Sequence, residues 1–231
     1  MYKFTFKYLE EAFNLALEYG YHIIKCEEYL EYKYRHDKVL INRVDIDLTC
    51  IGAKRISEIF NRLDIKGTFF VRLHAEEYNP FSFENYKSLK YIVDNGHEVG
   101  LHSEIIDASK YWKLSSTKVL LRDIDILNEM LGIKIKGIAS HNQETGNNNL
   151  DFWKDKKPAD FGLLYEAYDN QPEFNLFNES VYVTDSNYTY WKCYKKGIMD
   201  KNDKRWLHEH IKDNNKVLYT LIHPITYMEG M

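Results

Sequence analysis

Apolar residues recur at helical spacing from Tyr8 to Glu18, where Leu9, Ala12, Phe13, Ala16 and Leu17 share one face and Gly20 supplies the stop. A short strand over Tyr21–Ile24 and a short helix through Tyr29 and Leu30 are predicted next. The period then changes. Val39 to Val44 is rich in β-branched residues and turns polar at Asp45 and Asp47, the pattern of a buried strand with a polar C-terminal end. Ile56, Ile59, Phe60 and Leu63 mark the next helical face, and Gly67–Val71 the next strand. Behind Ser82 as N-cap, a helix carries Tyr86, Leu89, Ile92 and Val93, and Asn95-Gly96 ends it before a strand over His97–Leu101. Val119, Leu120, Ile124, Leu127 and Leu131 predict a helix closed by Gly132, with Lys134–Ala139 as the following strand. Phe161–Tyr165, Val181–Thr184 and Val217–Ile222 complete about seven core strands, with a helix from about Asp203 to Asp213 before the last.

Strands alternating with helices imply a parallel sheet, and right-handed crossovers bend such a sheet toward a barrel. The expected fold class is therefore α/β, a distorted or incomplete (β/α) barrel of about seven parallel strands over residues 38–231, with a small N-terminal α/β extension over residues 1–37. The extension is expected to cap or close the barrel, because an incomplete barrel leaves an edge to cover. At 231 residues, 44% of them hydrophobic, the chain has the size of one such domain.

A net charge of −4, with 31 basic and 35 acidic residues interspersed, leaves no basic footprint for nucleic acid. No stretch of 18 apolar residues occurs, so no membrane span is expected. Cys26, Cys50 and Cys193 are widely spaced and form no Cys-x-x-Cys pair, which argues against a disulfide framework or a thiolate zinc site and fits a reducing, cytoplasmic setting. Asn147, Asn148 and Asn149 mark a loop.

Chemistry-bearing side chains collect at strand ends, where βα barrels build their active sites. Asp45 and Asp47 follow the first core strand, Arg72 and His74 the second, His102 and Glu104 the third, His141 the fourth, Asp185 the sixth and His223 the last. His22, His36, His208 and His210 fall elsewhere, and His97, early in its strand, reads as structural. Two carboxylates on one strand face repel unless a cation or a proton lies between them. Mixed histidine and carboxylate ligands with an open position are what a hydrolytic divalent metal requires.

The series Arg43-Val44-Asp45-Ile46-Asp47, Gly67-Thr68-Phe69-Phe70-Val71, Gly96-His97-Glu98-Val99-Gly100-Leu101-His102-Ser103 and Leu221-Ile222-His223-Pro224 resembles the polysaccharide deacetylase family, the nodulation-protein-B homology domain of carbohydrate esterase family 4. The resemblance spans residues 39 to 227 and is nearest a branch associated with surface-polysaccharide biosynthesis.

That resemblance implies a metal-dependent hydrolase that removes an N-acetyl group from a sugar or glycan, with Zn2+ as the first choice of metal and Co2+, Ni2+ or Fe2+ as others. It makes Asp45 the general base, Asp47 and His102 metal ligands, and His223 the general acid. The family's second motif has another histidine four residues after the first. Here that position is Ile106, so the third ligand falls to His141 or to Glu104. The family's arginine that holds the catalytic aspartate is also missing, since Asn142 follows His141, and either Arg43 or Arg72 replaces it or the function is absent. Asp185 falls where the family places a conformation-setting aspartate, Trp191 is placed as a pocket wall, and Tyr78 and Asn79 as sugar contacts. The two departures also admit a barrel without turnover that binds saccharide or a protein partner.

Overall fold

In a computed structural model, which describes residues 4–35, 37–168 and 174–227, strand and helix alternate along most of the chain. In order, the elements are α1 (Phe6–Glu18), β1 (His22–Ile24), α2 (Tyr29–Tyr32), β2 (Val39–Ile46), α3 (Cys50–Arg62), β3 (Thr68–Val71), α4 (Phe83–Asp94) and β4 (Glu98–Ser103). There follow α5 (Ile105–Trp112), α6 (Ser116–Leu131), β5 (Gly137–Ser140), β6 (Tyr165–Glu166), α7 (Leu176–Glu179), β7 (Val181–Thr184), β8 (Lys192–Lys195), β9 (Ile198–Asp200), α8 (Leu207–Lys212) and β10 (Val217–Ile222). Hydroxyl caps start the helices: Thr49, Ser82 and Ser115 accept from the backbone N–H of Gly52, Asn85 and Lys118.

The strands lie in the order β6-β5-β4-β3-β2-β10-β7-β8-β9, parallel from β6 to β7 and antiparallel through the β8–β9 hairpin. The sheet is curled but open. Residues beyond β6 meet β7 across its hollow, where Tyr168 Oη lies 3.3 Å from Tyr182 Oη, yet β6 and β7 share no ladder. This is the incomplete barrel expected, with a gap between its fifth and sixth strands.

Period-two alternation sorts the core into two layers. Leu40, Val44, Phe69, Val71, Val99, Leu101, Ile138 and Ile222 face the helices, while Val39, Ile41, Phe70, Ala139, Tyr165, Tyr219 and Leu221 fill the concave side. Gly137 makes room for that filling: a Cβ there would lie 2.1 Å from Tyr165 Cζ.

The N-terminal extension packs onto the domain. Phe13 of α1 meets Phe60 of α3 at 5.0 Å between ring centroids, and β1 pairs with the first half of β2, below the reach of β3. Cys26 N–H then donates to Thr68 Oγ1 at 2.8 Å and Glu27 N–H to Glu98 Oε2 at 3.1 Å, so this segment covers the N-terminal mouth of the curled sheet. Three features depart from the sequence expectations. The strand expected over 161–165 shortens to Tyr165–Glu166, because Pro158–Phe161 forms a 3-10 turn. Helix α5 follows β4 directly, and the β8–β9 hairpin extends the sheet.

Candidate active site

The C-terminal ends of the parallel strands open into a cleft of about 620 Å3. Alternation along β2 places Arg43 and Asp45 on its concave side, and Asp47 follows just past the strand end. Arg43 is fully buried and forks Asp45, with Nε 2.8 Å from Oδ1 and Nη2 2.7 Å from Oδ2. Its guanidinium also lies over the Tyr168 ring at 4.5 Å and reaches Tyr219 Oη at 3.3 Å. Burial alone would raise the Asp45 pKa, but the charge of Arg43 overcomes it and the net direction is down. Of the two arginines expected to hold Asp45, Arg43 forks it and Arg72 pairs instead with Glu104.

His102 stands between the two aspartates, its Nε2 3.3 Å from Asp45 Oδ2 and 3.2 Å from Asp47 Oδ1. Its Nδ1 donates to the Ala139 carbonyl at 2.9 Å, an acceptor that fixes the proton on Nδ1 and leaves the Nε2 lone pair facing the carboxylates when the ring is neutral. Burial opposes charge on this ring, yet Asp45 and Asp47 raise its pKa. Asp47, against the cost of burial, is held well below the usual carboxylate range by His102, His223 and His141.

His141 enters from the end of β5, and its ring lies 4.9 Å from that of His102 between centroids. Ligand atoms of Asp47, His102 and His141 lie within 4.8 Å of one another. Asp47 Oδ1 is buried and lacks a hydrogen-bond partner, so an oxygen and two imidazoles face one point with the acceptor capacity a divalent cation uses. The donor set fits such an ion. Glu104 sits behind His141, its Oε1 3.3 Å from His141 Nδ1 and 2.7 Å from Arg72 Nη2. Burial disfavours its charge, but His141 and Arg72 bring its pKa down to about 2. Ile106, at the second-motif position, lies in the first turn of α5 and packs against the outer apolar layer.

His223, at the end of β10, is backed by fully buried Asp185, with Nδ1 2.5 Å from Oδ1, and its backbone N–H donates to Asp185 Oδ2 at 2.9 Å. Burial would lower the His223 pKa; Asp185 instead drives it up to about 9. Nε2 faces the cleft, 3.7 Å from Asp47 Oδ2.

Other expected positions lie apart from the cleft. Trp191 is fully buried in the outer layer, 6.1 Å from Phe4 between ring centroids, and does not wall the pocket. Tyr78 is spent on the backbone: its hydroxyl donates toward the Ile46 and Arg72 carbonyls, at 2.8 and 2.9 Å, and accepts from Arg72 N–H at 3.0 Å. Asn79 shapes its own turn by accepting from Phe81 N–H. His97 is structural as expected, its Nδ1 accepting from Gly67 N–H at 3.2 Å and its pKa pushed down to about 4 by burial.

The walls sequence reasoning missed are Tyr168, Tyr182, Tyr188, Lys192 and Tyr194. Most sit on or beside β7 and β8, and the alternation Lys192-Cys193-Tyr194 was the signal that could have found them. Tyr188 is 56% exposed and held at φ 63°, a left-handed conformation that a tyrosine rarely adopts. A separate Cys193–Asp203–His210 group also brings ligand-type atoms within 4.8 Å, but Arg205 forks its carboxylate with Nη2 2.8 Å from Oδ2, so the group reads as a half-buried ion pair. Among the described residues no helix is long and apolar enough to cross a membrane.

Comparison with known proteins finds no family model and no curated protein that matches this chain. Solved structures to which it is similar include the chitin deacetylase of the fungal pathogen Colletotrichum lindemuthianum, at 20% identity over 44% of this chain and 45% of that one, with a TM-score of 0.32. They also include the Streptococcus pyogenes deacetylase PplD in complex with acetate, at 17% identity over 62% of this chain and 66% of that one, with a TM-score of 0.40.

Proposed function

We propose that the cleft is the active site of a metal-dependent hydrolase that removes the acetyl group from an N-acetylated sugar or glycan. The observation that carries this reading is the meeting of Asp47, His102 and His141 ligand atoms within 4.8 Å, between an arginine-clamped Asp45 and an aspartate-backed His223. Asp47, His102 and His141 would hold a divalent cation, zinc by donor type, with cobalt, nickel or iron as alternatives. Such an ion supplies Lewis acidity toward an amide carbonyl and toward water.

The chain's own residues do the rest. Arg43 keeps Asp45 ionised and fixes its plane, so that a carboxylate oxygen is ready to take a proton from attacking water. Asp185 stabilises positive charge on His223 and leaves Nε2–H directed into the cleft, where it can protonate the departing amine. A carboxylate base and an imidazolium acid thus coexist at one pH because their surroundings push them apart. Tyr188, Tyr194 and Lys192 give the cleft an amphipathic wall suited to a sugar ring and its hydroxyls.

The rival reading, a saccharide-binding barrel without turnover, rested on Ile106 and Asn142. The Arg43 fork on Asp45 and the position of His141 beside His102 favour catalysis over that rival. Acetate release from N-acetylhexosamine conjugates and nucleotide-linked N-acetyl sugars by the metal-loaded chain, compared with Asp45→Asn, tests the proposal. Release that depends on Asp45 supports it; release unchanged in Asp45→Asn removes Asp45 as base, and no release from any such substrate counts against deacetylation.

A further inference from the structure

We infer that Glu104 acts as the outer carboxylate of a carboxylate–histidine–metal relay, holding His141 through Nδ1 so that Nε2 becomes the ligand atom. The inference rests on the reading of the cleft as a metal centre. A ligating imidazole is oriented by what its other nitrogen donates to, and loss of that acceptor costs about 10- to 100-fold in metal affinity. His102 already shows the carbonyl version of this arrangement, with Nδ1 on Ala139 O at 2.9 Å. For His141 the carboxylate stands within reach, Nδ1 lying 3.3 Å from Glu104 Oε1 but not yet hydrogen-bonded.

Glu104 presents Oε1 to His141, while its Oε2 is buried without a hydrogen-bond partner. Glu104 is 4% exposed, and the oxygen that faces His141 also accepts from Arg72 Nη2 at 2.7 Å. Arg72 in turn reaches the Asp47 carbonyl at 3.4 Å through Nη1 and Glu144 at 3.2 Å through Nη2, tying together the ends of β2 and β4 and the loop after β5. The loop that carries His141 is pinned independently: buried Asp107 accepts from the backbone N–H groups of Glu144 and Thr145 at 3.0 and 2.9 Å. Glu104 and Arg72 thus stand behind His141 at its strand end.

The decisive experiment measures Co2+ and Zn2+ affinity by calorimetric titration of the wild type, Glu104→Gln, Glu104→Asp and His141→Ala, with proton NMR of the Co2+-loaded chains. The wild type is expected to bind one ion and show two exchangeable, hyperfine-shifted imidazole N–H signals, one for each histidine bound through Nε2. Glu104→Gln should still bind one ion, about 10- to 100-fold more weakly, with one of the two signals lost to exchange, and Glu104→Asp should recover part of the affinity. The wild-type signals stand even if a variant fails to fold, which circular dichroism of the metal-free chains reports. Unchanged affinity in Glu104→Gln, or a single N–H signal in the wild type, overturns the relay alone. Full binding by His141→Ala with none by Glu104→Gln would make Glu104 the ligand and overturn it too. No ion bound by the folded wild type defeats the metal-centre reading beneath it.

Discussion

Arg43 and Asp45 lie two residues apart on one strand and face each other across two parallel hydrogen bonds of 2.8 and 2.7 Å. Both are almost completely buried, so the pair combines an uncompensated desolvation cost for either partner alone with a fixed geometry for the two together. Arg43→Met is expected to destabilise the fold by about 3–5 kcal/mol, because it strands a buried carboxylate. Arg43→Lys keeps the charge but loses the fork, and should lower kcat more than stability. Urea unfolding alongside acetate-release kinetics checks both.

Asp45→Asn preserves an acceptor for the fork while removing the base. Acetate release should fall about 10²- to 10⁴-fold with metal content unchanged. Metal analysis of the same sample separates a lost base from a lost ligand.

The position of the metal-free chain's stability optimum follows from three raised pKa values. Burial lifts Glu98 and Glu166 each from 4.5 to about 7, and Asp185 lifts His223 from 6.5 to about 9 against burial. A raised folded-state pKa stabilises below the unfolded value and loses that contribution as pH rises through the folded value. The carboxyls therefore weaken the fold between about pH 4.5 and 7, and His223 between about pH 6.5 and 9. His97, lowered from 6.5 to about 4, acts in the opposite sense up to about pH 6.5, so urea midpoints in the presence of chelator should fall from about pH 6.5 to pH 9, and Glu98→Gln should flatten the lower part of that fall. Midpoints that rise over the range would contradict the assignment.

Gly137 and Tyr165 face each other inside the curl. Gly137→Ala would set a methyl 2.2 Å from the Tyr165 hydroxyl, and should destabilise the chain by roughly 1–3 kcal/mol through overpacking. Thermal unfolding of Gly137→Ala reads this cost.

Strand ends were the legible part of this molecule. Asp45, Asp47, His102 and His223 stand out because a buried apolar strand that turns polar at its C-terminal end has few structural reasons to do so. His141 followed from the same position rule together with the family resemblance at that strand end. Trp191 and Tyr78 misled for a common reason: an aromatic near a strand end has the same pattern whether it faces the cleft or packs away from it, and only three-dimensional packing decides. The β8–β9 hairpin is signalled only by the short alternation Lys192-Cys193-Tyr194, because its two strands are short and one face is exposed. The Arg43 clamp was open to view in the alternation of β2, but its partner could be named only once both side chains were seen to share the concave face.

The central claim is that Asp47, His102 and His141 form one metal centre despite the isoleucine at position 106. Metal content of wild type and His141→Ala, each purified without chelator and then equilibrated with Zn2+, tests it most directly. One equivalent in the wild type and a loss of stoichiometric binding in the folded variant is the predicted result. No metal in the wild type, or a full equivalent retained by His141→Ala, would contradict it.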